Sequence, residues 1–335
     1  MPHLDHFEKL ADCQRKGDIP PELAAVLYNF YISYGEAVQE NGYSPDSMSE
    51  RLNLFADLVI DELKNPFTFE PFHQSIRHPF DYYRFGLNLI RPLVIFSKSE
   101  AKGLDHVDEM AEALAKGENI ILFGNHQTEP DPQAISLLLE NTHPRFAEEI
   151  IFVAGHRVIS DPLAIPFSKG RNLLCIFSKR HIETPPELKE EKLLHNQRTM
   201  KRMAQLLNEG GKCIYVAPSG GRDRVNAQGI VEIAPFDPQS IEMFGLMAKK
   251  SEKPTHFYPL ALSTYNLLPP PNSIEKELGE RRQAHSTAIH LAFGSKIDME
   301  NYPGCDSLDK KQRRQMRAEY IWKLVAGDYE KLQRG

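Results

Sequence analysis

The first third of the chain places apolar residues at helical spacing and shows no alternating run. In "DSMSERLNLFADLVIDELK" (46–64), Leu52, Phe55, Val59 and Leu63 fall at i, i+3, i+7 and i+11, one face of a helix. "PELAAVLYNFYISYGEAVQ" (21–39) starts on proline and predicts a second helix of several turns. "KNPFTFEPFHQSIRHPF" (64–80) holds three prolines and reads as a connector, and no strand pattern appears before residue 90. These features predict a small all-helical N-terminal domain, residues 1–68, ahead of a second domain over 69–335.

From about residue 105 the pattern changes. "VDEMAEALAKGE" has helical spacing and leads into the short apolar run "NIILFGN". Helix "DPQAISLLLEN" precedes "EIIFVAG", and "NLLCIFSK" follows. A long helix over about 187–209 ends at Gly210-Gly211, before "KCIYVAPS", helix "PQSIEMFGLMAKKS" and the run "THFYPLALS". Short apolar runs separated by helices predict an α/β fold whose sheet is buried on both faces. In such sheets ligands gather at the carboxyl ends of the strands.

Composition adds limits to this picture. The 335 residues are 41% hydrophobic and 26% charged, the balance of an ordinary globular protein. A net charge of −6 lacks the basic footprint of a nucleic-acid binder, so no nucleic-acid partner is expected. The four cysteines are far apart, and Cys175 and Cys213 sit inside apolar runs as buried thiols do. That usage suits a reducing, intracellular compartment. No stretch reaches the roughly 18 apolar residues needed to span a bilayer. The N-terminus has neither the apolar core of a signal peptide nor the acid-poor composition of a transit segment. The chain is therefore expected to be soluble, with peripheral membrane contact left open.

Polar groups concentrate where the apolar runs stop. "NIILF" ends in Gly124-Asn125-His126, "NLLCIF" in Ser178-Lys179-Arg180-His181, and "KCIYVAP" in Ser219 to Arg224; "THFYPLAL" supplies a fourth wall with little charge. If these strands share one sheet and one direction, their ends converge. Arginine forks in "SKRH" and "GGRDR" match phosphate oxygens, and paired glycines let the backbone approach closely, although a solvated loop explains a charged triplet too.

His126 and Asp131 are separated by four residues in "NHQTEPD". A carboxylate on one imidazole nitrogen fixes the tautomer and leaves the other nitrogen as a general base for a hydroxyl. The same Asp131-Pro132 pair predicts a helix start, with Asp131 as N-cap.

Together, "NHQTEPD" (125–131), "SKRH" (178–181), "APSGGRDR" (217–224) and "FYPLAL" (257–262) resemble the four acyltransferase blocks of glycerol-3-phosphate acyltransferases. The likeness is greatest to the soluble plant-plastid type, which also occurs in chlamydia-like bacteria, and it covers nearly the whole chain. The resemblance implies a mixed sheet flanked by helices, the glycerolipid acyltransferase fold, behind the helical N-terminal domain. It implies transfer of a fatty acyl group from acyl-acyl carrier protein, or acyl-CoA, to the sn-1 hydroxyl of sn-glycerol 3-phosphate, with no metal or organic cofactor. His126 would be the base held by Asp131; Lys179, Arg180, His181, Arg222 and Arg224 would bind substrate. Arg180 stands where plant enzymes usually carry lysine, so either Lys179 or Arg180 takes the phosphate. The implied location is the bacterial cytoplasm, or the plastid stroma for a processed chain.

Other readings compete. A lysophosphatidate acyltransferase shares the His/Asp block but is normally membrane-embedded. A non-catalytic phosphate- or phospholipid-binding module needs no His/Asp pair. Ser219 lacks the G-x-S-x-G of a nucleophile elbow. His195 is expected on a solvated helix face, and His285 and His290 are mis-spaced for a metal pair. Glu129 reads as a structural or orienting residue, and Thr128 with 159–167 as either acyl channel or core. "KKQRRQMR" (310–317) is a candidate docking face for an acidic carrier protein or a solvated helix face.

Overall fold

A computed structural model describes residues 5–178, 182–271, 280–305 and 309–334. Three helices come first, α1 (His6–Lys16), α2 (Pro21–Glu40) and α3 (Pro45–Lys64). The expected apolar stripe of α3 is realised, with Leu52, Phe55 and Val59 buried. These helices share one core with α4 (Tyr82–Ile90), and Tyr34 of α2 donates to the Leu89 carbonyl at 2.9 Å.

The connector holds one element that the sequence pattern did not reveal. Phe72–His73 forms β1, an edge strand antiparallel to β5 (Asn172–Ile176). Two residues carry no periodicity, which is why the pairing was invisible.

The central sheet has eight strands in the order β1-β5-β4-β6-β3-β9-β10-β2. The further strands are β2 (Glu100–Lys102), β3 (Asn119–Gly124), β4 (Ile151–Gly155), β6 (Cys213–Val216), β9 (Thr255–Ser263) and β10 (His290–Phe293). A separate hairpin pairs β7 (Arg224–Val225) with β8 (Val231–Glu232). Five strands, β5, β4, β6, β3 and β9, run parallel, whereas β10 is antiparallel to β9. The sheet is mixed, as expected, and both edges are short, which limits edge-to-edge association.

Alternate residues of the central strands feed two different cores. Ile120 and Leu122 of β3 join Cys213 and Tyr215 of β6 under α5 (Leu104–Ala115), α6 (Asp131–Leu139) and α7 (Pro144–Glu149). Ile121 and Phe123 face the other way, onto α9 (Lys189–Glu209), α10 (Pro238–Lys250) and α11 (Lys310–Arg334). Burial on both faces is why these strands read as continuous apolar runs. A short helix, α8 (Ile165–Lys169), precedes β5.

Helix α6 has the position that matters most for chemistry. Ile135 and Leu139 pack into the sheet core, while Ala134 and Leu137 pack into the core of the N-terminal helices. Full burial of the isoleucine and leucine side chains contributes about 1.5–3 kcal/mol each. The first residue of α6, Asp131, is thereby clamped between two layers.

His195 departs from expectation. Instead of facing solvent it lies half-buried on α9, with Nε2 3.0 Å from the Cys175 carbonyl and its ring edge against Phe177. The charged neighbours on α9 hid an inward-facing position. Cys175 and Cys213 are buried free thiols, and burial pushes the Cys175 thiol up to about 12.

Candidate active site

The parallel run of β5, β4, β6, β3 and β9 brings the ends of all four polar-tipped strands to one edge of the sheet. β3 lies between β6 and β9, so the turn after it is flanked by "GGRDR" on one side and Thr264 on the other. The last residue of β3 has to be glycine. A Cβ on Gly124 would fall 2.6 Å from the Tyr215 ring and 3.0 Å from the Leu260 carbonyl.

His126 and Asp131 meet as the spacing suggested. His126 Nδ1 lies 2.7 Å from Asp131 Oδ2, the histidine side chain 31% exposed and the aspartate 2%. The carboxylate also accepts from the Gln127 amide at 2.8 Å, the Thr128 amide at 3.3 Å and the Thr264 hydroxyl at 2.5 Å. A buried carboxylate needs such donors, because an unpaired one is costly to desolvate.

The helix start differs by one position from expectation. Pro130 is the N-cap and Asp131 the first helical residue. The Asp131 side chain turns back to the amides of the preceding turn, which places it under the imidazole.

Three residues missed by the sequence reading lock this turn. Asn125 Nδ2 donates to Asp223 at 2.8 Å and to the Leu262 carbonyl at 2.9 Å, and its Oδ1 accepts from the Leu262 amide at 2.7 Å. Gln127 Nε2 donates to Asp223 at 3.2 Å, and its Oε1 accepts from the Thr264 and Tyr265 amides. Asp223, fully buried, also takes the Ala234 amide at 3.0 Å, and its own N–H donates to the His126 carbonyl at 2.6 Å. Burial pushes the Asp223 carboxyl up to about 6, against the pull of these donors. The polar flanks of His126 and the acid between two arginines were the signals available.

Arg222 and Arg224 flank Asp223 where the loop after β6 enters β7. Arg222 Nη2 holds both carboxylate oxygens of Glu280, at 2.6 and 2.7 Å. Arg224 is half-buried, and its Nη1 is buried without a hydrogen-bond partner among the described residues. Burial, with Arg222 adding to it, lowers the Arg224 pKa. Lys179, Arg180 and His181 lie outside the described residues.

Glu129 takes no part in the His126 contact. It grips Arg282 at 2.8 and 3.0 Å, and Arg282 also donates to Asp161 at 2.9 Å. Burial opposes ionisation of Glu129, but the Arg282 charge and hydrogen bonds outweigh it and hold the carboxyl below the usual range. Thr128 is buried and donates to the Leu268 carbonyl at 2.6 Å. Ser219 donates to the Gly221 carbonyl. At the far end, Arg314 and Arg317 of "KKQRRQMR" pair with Glu242 of α10. No helix among the described residues is long and apolar enough to cross a membrane.

The arrangement is a histidine oriented by a buried carboxylate, beside a segment rich in cations. The Acyltransferase family model matches residues 105–263, which include β3, β6 and β9 and both polar clusters. A chloroplastic glycerol-3-phosphate acyltransferase of Cucurbita moschata is 40% identical over 332 residues, 97% of this chain and 72% of the relative. The chloroplastic enzyme of that name in Arabidopsis thaliana is 38% identical over 94% of this chain and 69% of its own. That of Phaseolus vulgaris is 45% identical over 82% of this chain and 61% of its own. Among solved structures, the 1-acyl-sn-glycerophosphate acyltransferase of Thermotoga maritima covers 93% of this chain and 97% of its own, at 16% identity and a TM-score of 0.39. That structural likeness is too weak to bear on fold or activity. With a cationic strand end beside an oriented histidine, and identity to those plant enzymes along almost its whole length, the chain belongs to the glycerol-3-phosphate acyltransferase family.

Proposed function

We propose that the protein transfers a fatty acyl group from acyl-acyl carrier protein, or acyl-CoA, to the sn-1 hydroxyl of sn-glycerol 3-phosphate, giving 1-acyl-sn-glycerol 3-phosphate. The observation that carries this reading is the 2.7 Å contact of His126 with buried Asp131 in the turn after β3, beside the segment after β6 that carries Arg222 and Arg224. Asp131 accepts from Nδ1, so Nε2 is left as the basic nitrogen. That nitrogen takes the hydroxyl proton as the glycerol oxygen attacks the thioester carbonyl. The tetrahedral intermediate collapses by breaking the C–S bond, and the departing thiolate takes the proton back from the imidazolium.

Arg222 and Arg224 hold the phosphate in this reading, with His181 and either Lys179 or Arg180 completing the anion site. Arg224, with a buried nitrogen that has no hydrogen-bond partner among the described residues, supports the assignment most directly. The division into a helical domain over 1–68 and a catalytic domain over 69–335 is part of the same proposal. The relatives are named chloroplastic; for this chain we place the reaction in the bacterial cytoplasm, or in the plastid stroma if it is a processed form.

The test is an acyl-transfer assay with purified protein, radiolabelled glycerol 3-phosphate and acyl-acyl carrier protein or acyl-CoA. The expected product is the 1-acyl ester, lost in His126→Ala with the circular dichroism spectrum kept. Wild-type turnover in that variant would remove His126 from the chemistry.

A further inference from the structure

The cation cluster contains a third arginine. Arg157 follows β4, the neighbour of β6 in the sheet, and its Nη1 lies 2.8 Å from Glu280 Oε2. Arg222 Nη2 lies 2.7 Å from the same oxygen. Two guanidinium groups from adjacent strand ends thus point at one anionic atom. The three side chains are mostly out of solvent, at 27% exposure for Arg157, 13% for Arg222 and 3% for Glu280.

We propose that Arg157 is a further phosphate-binding residue and that the Glu280 carboxylate is what the phosphate of the substrate replaces, so that Glu280 sets the affinity for glycerol phosphate. The inference rests on the assignment of Arg222 to the phosphate. A phosphate monoester carries nearly two negative charges and three acceptor oxygens, whereas a carboxylate has one charge and two oxygens. At a point where two guanidinium groups converge the phosphate is the stronger ligand, but it binds only after the carboxylate leaves. Among the described residues, the Glu280 carboxylate bonds to Arg157 and Arg222. The Glu280 backbone carbonyl accepts from Arg282 Nη1 at 3.0 Å, and Arg282 is itself fixed by Glu129 and Asp161. Residue 280 stays tethered while the carboxylate rotates away.

An internal competitor and a structural counter-ion have opposite consequences when removed. A competitor that is docked for about nine-tenths of the time raises the apparent Kd about tenfold, and its loss tightens binding by that factor. A counter-ion that merely orients Arg222 leaves binding weaker when it is lost.

The experiment is calorimetric titration of sn-glycerol 3-phosphate into wild type, Glu280→Gln, Arg157→Ala and Arg222→Ala, with melting temperatures measured alongside. Glu280→Gln is expected to lower Kd by about three- to tenfold and to gain a larger ligand-induced rise in Tm than wild type. Arg157→Ala is expected to raise Kd about tenfold or more. If Glu280→Gln fails to fold, Glu280→Asp, one methylene too short for the present contact, is measured for the same tightening. Unchanged or weaker binding in the Glu280 variant, with Arg157→Ala like wild type, overturns the proposal. In that case weak binding by Arg222→Ala still upholds the phosphate assignment. Unchanged binding by Arg222→Ala overturns that assignment and this proposal with it.

Discussion

The turn after β3 and the basic strand ends beside it are built in opposite ways. The turn draws its functional pair from residues five apart, and nearly every polar group there has a fixed hydrogen-bond partner. The basic end gathers Arg157, Arg222 and Glu280 from across the chain and joins their side chains by charge-assisted hydrogen bonds. A base must keep one tautomer and one orientation through each turnover, so a closed hydrogen-bond network suits it. An anion site must exchange its ligand, and ion pairs with long side chains allow exchange without moving the backbone.

Breaking the closed half should therefore cost turnover, and breaking the open half should cost affinity. Asp131→Asn removes the charge that stabilises the imidazolium, and kcat is expected to fall about 100- to 10,000-fold with the KM for glycerol 3-phosphate little changed. Steady-state kinetics at saturating acyl donor measure it. Arg222→Ala and Arg224→Ala are each expected to raise that KM about 10- to 100-fold, with a smaller effect on kcat. An unchanged KM in both would erase the contrast between the two halves.

Asp223 joins the halves, and its replacement sharpens the comparison through stability. Its Oδ2 accepts from two amide groups and its Oδ1 from the Ala234 N–H. An asparagine amide would set one donor against these donors, so Asp223→Asn should cost about 1–3 kcal/mol in urea unfolding despite its matching shape. The pH dependence has a definite sign. Because burial lifts this carboxyl from 3.8 to about 6, its protonated form is favoured in the folded protein. That stabilisation is complete below about pH 3.8 and is lost as pH rises through about 6. The stability gap between wild type and Asp223→Asn should therefore narrow between about pH 4 and pH 6 and level off above that. The smallest effect expected is that of Thr264→Val, which removes one donor of several to Asp131 and should cost about 1 kcal/mol of stability.

The same contrast governs what could be read from the sequence. The His126/Asp131 pair was legible because its geometry is local, a turn of fixed length between a buried strand and an amphipathic helix. The parallel strands were legible because a sheet buried on both faces leaves short apolar runs. Glu280 and Arg157 were not, because nothing in their neighbourhoods marks residues 123 positions apart as partners. Asn125, Gln127 and Thr264 were hidden for a related reason: uncharged polar residues in turns are common, and only the packing of β3 between β6 and β9 gives these a purpose. His195 shows the converse error, in which a charged sequence context concealed an inward-facing ring.

The central claim is that His126 moves the proton and does not hold the substrate. One measurement tests it most directly: glycerol 3-phosphate binding and acyl-transfer turnover on the same preparation of His126→Ala. The account predicts a Kd close to that of wild type, with turnover lower by about 100- to 10,000-fold. Turnover near wild type, or a loss wholly explained by lost binding, would contradict it.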